Sequence, residues 1–170
     1  MGQINNLNNE ELTFWNSYTA TLTEKPVNPI VFSGMAGNEK IADELLQLYL
    51  NGKKTAGSGL MKDYLQANEP LPQVNQYWII LNSKLIPKCI VQTIKVEINR
   101  FDEVPEKIAS AEGEGDLSIS YWRTAHEEFF KPFLKDLGIS NLNKELIITE
   151  YFKYLGIFRN RHSTPTDAIF

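Results

Sequence analysis

The chain has one cysteine, two histidines, no excess of basic charge and no long apolar run. A single thiol, Cys89, cannot close an internal disulfide. Within IPKCIVQTIKV it reads as a small buried hydrophobe rather than a nucleophile, because both histidines lie far off in sequence. No stretch approaches the roughly 18 consecutive apolar residues of a membrane span. The first residues, MGQINNLNNEEL, have neither the basic region nor the apolar segment of a signal peptide, so the expected location is the cytoplasm. The net charge is −4, so global charge does not advertise a nucleic-acid binder, although unevenly spread lysines leave room for a local basic patch. There is no internal repeat and no low-complexity tract. What is present is an ordinary globular composition, 42% hydrophobic and 22% charged, in 170 residues. That length suits one domain with its own core.

A helix is expected from about Glu10, with Phe14, Tyr18 and Leu22 on one stripe, until TEKPVNP breaks it. A second runs from Asn38 to Asn51. Asn38 serves as its N-cap, Ile41, Leu45 and Leu48 lie on one face, and Gly52 stops it. QYWIILN (76–82) and KCIVQTIKVEI (88–98) are β-branched and aromatic, so they read as strands. A short helix over Glu103 to Gly113 and a longer one over Ser118 to Leu137 follow, the latter kinked or split by Pro132. KELIITEYFKYL (144–155) reads as a closing strand. Helices, a hairpin, helices and a last strand make an α+β fold. So few strands for this length suggest a small, partly closed barrel with helices outside.

Three stretches can carry chemistry. NGKKTAGSG (51–59) puts three glycines, Lys53, Lys54, Thr55 and Ser58 just past a helix end. Such a loop can offer N–H groups and ammonium charge to an anion, yet it lacks the order of a phosphate-binding P-loop and is equally a solvated turn. SAEGEGD (110–116) places Glu112, Glu114 and Asp116 before a helix. One acid is enough to cap a helix, and three exceed that need. A glutamate beside a lysine is a common acid–base couple. These acids could also supply oxygens to a divalent metal ion, but the calcium-loop pattern is absent. On the helix that follows, Phe129, Phe130 and Phe133 read as core. Trp122, Arg123 and His126 lie near its start, where a base could stack on Trp122 while Arg123 holds a phosphate.

ADELLQLYLNGKKTA, then ASAEGEGDLSISYWRTAHEEFF, then ELIITEYFKYL resemble, in that order, the ASCH-domain family over roughly Gly37 to Leu155. The resemblance implies a PUA-like fold, a small mixed β-barrel with surrounding helices. On it, 1–36 is an N-terminal helical extension packing on the domain, 37–155 the ASCH/PUA-like domain and 156–170 an irregular tail with a basic start at Arg159 to His162. It also implies a link to RNA. Members have been described as ribonucleases, and a smaller branch as amidohydrolases acting on acetylated cytidine nucleosides. Gly52 and Lys54 match the family loop G-x-K-x-x-T, whose hydroxyl position falls on Gly57, with Ser58 next to it. The acid of the A-E-x-E pattern falls on Glu114, and the closing acid-x-aromatic motif on Glu150 to Phe152.

The expected site is therefore one cleft that binds a nucleotide, a nucleoside or single-stranded RNA. Lys54, Glu114 and Ser58 are its catalytic candidates, and Lys53, Thr55, Trp122, Arg123 and His126 its substrate contacts. If RNA is cleaved, Lys54 holds the scissile phosphate and Glu114 is the base or holds a divalent ion. If a modified nucleoside is hydrolysed, Ser58 or Thr55 attacks with Lys54 as base. The third reading is a module that binds RNA without catalysis.

Overall fold

The apolar run Tyr77–Leu81 (β3) has every residue but Trp78 buried, because it is covered on both faces. Tyr77, Ile79 and Leu81 face the first helix, α1 (Asn9–Thr19), and Trp78 and Ile80 face the second, α2 (Ala42–Leu50). Alternation along a strand sends neighbours to opposite faces, so a strand packed between helices is apolar throughout. α1 brings Phe14, Trp15 and Tyr18 to this core. Its start is fixed by a capping box between Asn8 and Glu11.

This computed structural model describes residues 4–158. The basic segment Arg159 to His162, and with it the expected irregular tail beyond Phe158, lies outside them. The fold is α+β, a mixed sheet curled into a half-barrel with five helices. The strand order is β1-β3-β4-β5-β2, where β1 is Val31–Met35, β2 Ala56–Leu60, β4 Pro87–Arg100 and β5 Leu146–Gly156. β1 runs parallel to β3, and every other pair is antiparallel. β3 pairs with the first part of β4, and β2 with the first part of β5, so the two edge strands lie at opposite ends of the long β4–β5 ribbon. The β4–β5 register shifts between Thr93 and Lys95. A bulge there bends both strands and increases their twist.

β3, β4, β5 and the N-terminal helix form where the sequence places them, with ends moved by a few residues. The helix expected from Asn38 begins four residues later, at Ala42. Asn38 first closes a turn, its side chain taking the Lys40 N–H and its carbonyl the Ala42 N–H. The short helix α4 covers Glu106–Glu112. The helix expected over Ser118 to Leu137 is α5, Ile119–Phe130, capped by the Ser118 hydroxyl on the Tyr121 N–H. It stops before Pro132, whose ring cannot continue the hydrogen-bond ladder. That early stop corrects the core assignment of the phenylalanines. Phe130 is buried, Phe129 is half-buried, and Phe133, beyond the helix, is 48% exposed. β1, β2 and the helix α3 (Met61–Gln66) were not expected. Among the described residues no helix is long and apolar enough to cross a membrane.

Candidate functional site

Two turns bring the glycine–lysine loop onto the acidic stretch. α2 ends at Gly52, whose φ of +74° reverses the chain, and the Lys53 and Lys54 N–H groups both return to the Leu48 carbonyl at 2.9 Å. The next residue, Thr55, donates its N–H to the Ala111 carbonyl at 2.7 Å and its hydroxyl to the same oxygen at 3.1 Å. Gly113 follows α4 with φ +73°, and any Cβ there would collide with the Lys53 carbonyl. Glycine is required at 113 both for its conformation and for this close approach.

The docking buries the Lys54 ammonium between two carboxylates. Nζ lies 3.0 Å from Glu112 Oε2 and 2.6 Å from Glu114 Oε1, with the Glu112 carbonyl at 3.5 Å. Glu112 is the centre of the cluster. Its other oxygen, Oε1, accepts the Trp122 indole N–H at 2.7 Å and faces His126 Nε2 at 3.6 Å. The His126 ring stacks on Trp122 with centroids 4.0 Å apart, and its Nδ1 is 2.8 Å from the Trp122 carbonyl. A carbonyl only accepts, so Nδ1 carries the hydrogen. Burial pushes the Glu112 carboxyl up. The Lys54 charge, then His126 and hydrogen bonds from Ser58 and Trp122, outweigh it and hold the carboxyl below its ordinary 4.5. Burial likewise pulls the Lys54 ammonium down, but Glu112, Tyr49 and Glu114 more than reverse this, so Lys54 stays protonated.

Above the cluster opens a cavity of about 430 Å³, the size of a small-ligand site. Lys54, Glu112, Glu114, Ser58 and His126 line it. So do Tyr49, Trp78 and Phe152, their ring centroids 6.0–6.2 Å apart, with Tyr64 and Phe129, and the Lys54 ammonium lies 6.0 Å from the Tyr49 ring centroid. Glu150, two residues before Phe152, is also in the wall and takes the Thr93 hydroxyl on Oε2 at 2.7 Å. Burial raises the Glu150 carboxyl above its ordinary value, offset in part by that hydrogen bond. β2 supplies Gly57, Ser58 and Gly59. A Cβ on Gly57 would sit 3.3 Å from the Phe152 ring, so the missing side chain leaves room in the cavity. The Ser58 hydroxyl pairs with that of Thr149 at 2.8 Å.

Lys54, Glu114, Ser58 and His126 thus meet at one cavity, but four other expected contacts do not. Trp122 is only 3% exposed and spends its N–H on Glu112, so no base can stack on it. Arg123 points to the opposite side of the helix, where it donates to the Asp102 carbonyl. Lys53 is exposed and Thr55 holds the Ala111 carbonyl, both outside the cavity wall. The basic cleft expected from Lys53, Lys54 and Arg123 is therefore not assembled. Among the described residues no group of three or more His, Cys, Asp and Glu is placed to hold a metal ion. Cys89 is buried in the core, its thiol pushed up to about 12 by burial.

Glu112 was one of the three acids noted in the sequence but was not singled out. Its signal was legible: Glu112 lies four residues after the buried Ile108, on the inward face of α4, whereas Glu114 lies past the helix end. Tyr49 and Trp78 had no such signal, since they come from α2 and β3, and Phe152 was marked only by the closing acid-x-aromatic motif.

A family profile for the ASCH domain matches residues 32–156. The fold is similar to the crystal structure of an ASCH domain from Lactobacillus crispatus JV V101, at 27% identity and TM-score 0.82, over 89% of this chain and 97% of that one. It is also similar to a protein of Enterococcus faecalis V583, at 28% identity and TM-score 0.74, over 89% and 94% of the two chains. No curated protein matches. A profile that spans most of the sequence, on a half-barrel shared with a solved ASCH domain, places the chain in the ASCH-domain family.

Proposed function

We propose that this protein binds one nucleobase in the cavity, either of a free nucleoside or of an unpaired nucleotide in RNA. The observation that carries the proposal is a cavity of about 430 Å³ lined both by aromatic rings and by a fixed polar cluster. Proteins that read unpaired bases use this combination, with rings for the π-face and a few polar groups for the edge. Family membership adds the link to RNA. Trp78, half-buried and in the cavity wall, takes the part first given to Trp122. Strand cleavage is less well supported. It asks Lys54 to hold a phosphate while its ammonium is already closed in by Glu112 and Glu114. Base binding leaves that cluster intact.

The test is calorimetric titration with nucleosides, together with their competition against a labelled single-stranded RNA. Nucleosides are expected to bind and to displace the RNA. Gly57→Leu, which fills the cavity from β2, is expected to abolish both. RNA binding that survives Gly57→Leu and ignores nucleosides would place the interaction elsewhere.

One observation favours a second reading, amide hydrolysis on a modified nucleoside: the Ser58 hydroxyl lies in the cavity wall. In that reading Ser58 attacks. Lys54, held as an ammonium, steadies the developing oxyanion, and a carboxylate rather than Lys54 takes the proton. Acetate release from acetylated cytidine, lost in Ser58→Ala with binding retained, is its test.

A further inference from the structure

The charge in the cavity wall is mostly negative. Five carboxylates, Glu44, Glu112, Glu114, Glu128 and Glu150, share it with one ammonium, Lys54. That ammonium is consumed by Glu112 and Glu114. Glu112 in turn is satisfied by Lys54 and Trp122. Glu44 and Glu128 are exposed to solvent, and Glu128 also reaches Lys131, so Glu150 is the partly buried acid left over. Thr93 occupies one oxygen, and no lysine, arginine or histidine among the described residues pairs with it. A partly buried carboxylate without a counter-charge is costly.

We infer that the preferred occupant is a cationic nucleobase, a ring that N-methylation keeps positively charged at neutral pH, and that Glu150 is the residue that selects it. This rests on the nucleobase reading above. A neutral base leaves Glu150 without a counter-charge, and a phosphate drawn into the cavity would face five acids. A cationic ring supplies the missing charge. It also gains from the half-buried rings of Trp78, Tyr64 and Phe129 in the wall, which attract a cation through their negative π-faces more than they attract a neutral ring. The raised carboxyl of Glu150 agrees with an acid whose partner has yet to arrive. Phe152 lies two residues along the same strand and on the same face, so charge and ring reach the ligand from one rigid element.

The experiment compares matched pairs by calorimetry at neutral pH: 1-methyladenosine with adenosine, and 3-methylcytidine with cytidine. The methylated, cationic member of each pair is expected to bind about tenfold more tightly or better. Glu150→Gln, nearly the same shape without the charge, is expected to bring each pair to within about threefold. Parents that bind wild-type protein as tightly as their methylated forms would overturn the inference and leave the nucleobase reading standing. A preference that survives Glu150→Gln would overturn the assignment to Glu150. Failure of all four nucleosides to bind would sink both. Should the variant fail to fold, judged by circular dichroism, the wild-type pairs still decide whether charge is selected.

Discussion

Replacing Glu112 by alanine is expected to destabilise the protein by about 3–5 kcal/mol, read by urea unfolding. The cost follows from what Glu112 leaves behind. Its side chain and that of Lys54 are only 3% and 4% exposed. Without the carboxylate, the ammonium keeps one partner, Glu114, and the Trp122 indole N–H keeps none. Two neighbours set the scale. Glu114→Ala removes a carboxylate that is 23% exposed, and it is expected to cost about 1 kcal/mol or less. Trp122→Phe removes one hydrogen bond to a charged group, for about 1.5–3 kcal/mol, and adds the cost of the space its smaller ring leaves in the core. If Glu112→Ala costs no more than Glu114→Ala, then Glu114 or water suffices for the ammonium, and Glu112 is not the centre of the cluster.

Lys54→Met should reverse the response of stability to acid. In the wild type, Glu112 is held below its ordinary 4.5, so its contribution is full at neutral pH and is lost as pH falls through the folded value. Methionine removes the charge that opposes burial. Glu112 then titrates above its ordinary value, its ionised form is a penalty at neutral pH, and stability is gained as pH falls toward 4.5. The loss at neutral pH is expected to be about 3–5 kcal/mol, the cost of a buried charge without its partner. Adding Glu112→Gln to Lys54→Met should recover much of it, because a neutral amide can still accept from Trp122. Urea unfolding across a pH series measures both effects. A variant whose stability falls with acid as steeply as the wild type would show that Lys54 does not control Glu112.

By itself the sequence determined the elements whose signals are local. The helix around Leu45 and Tyr49, its stop at Gly52, and the strands at Tyr77–Leu81 and Pro87–Arg100 rest on periodicity, a glycine stop and β-branching. The motif order added the half-barrel and the meeting of Lys54 with Glu114. Tertiary structure alone decided the rest. AGSGL, with two glycines and a serine, has little strand preference of its own. It becomes β2 because β5 offers it a ladder from Ala56 to Leu60. Trp122 turned inward because a buried carboxylate, Glu112, stood where its N–H could be satisfied. Arg123, one residue on, is rotated about 100° around the helix and donates to the Asp102 carbonyl instead. Tyr49, Trp78, Phe152 and Glu150 face one space only because α2, β3 and β5 converge there. A local pattern shows which face of an element is buried, but not which other element lies against it, and the candidate site is made of that second kind of information.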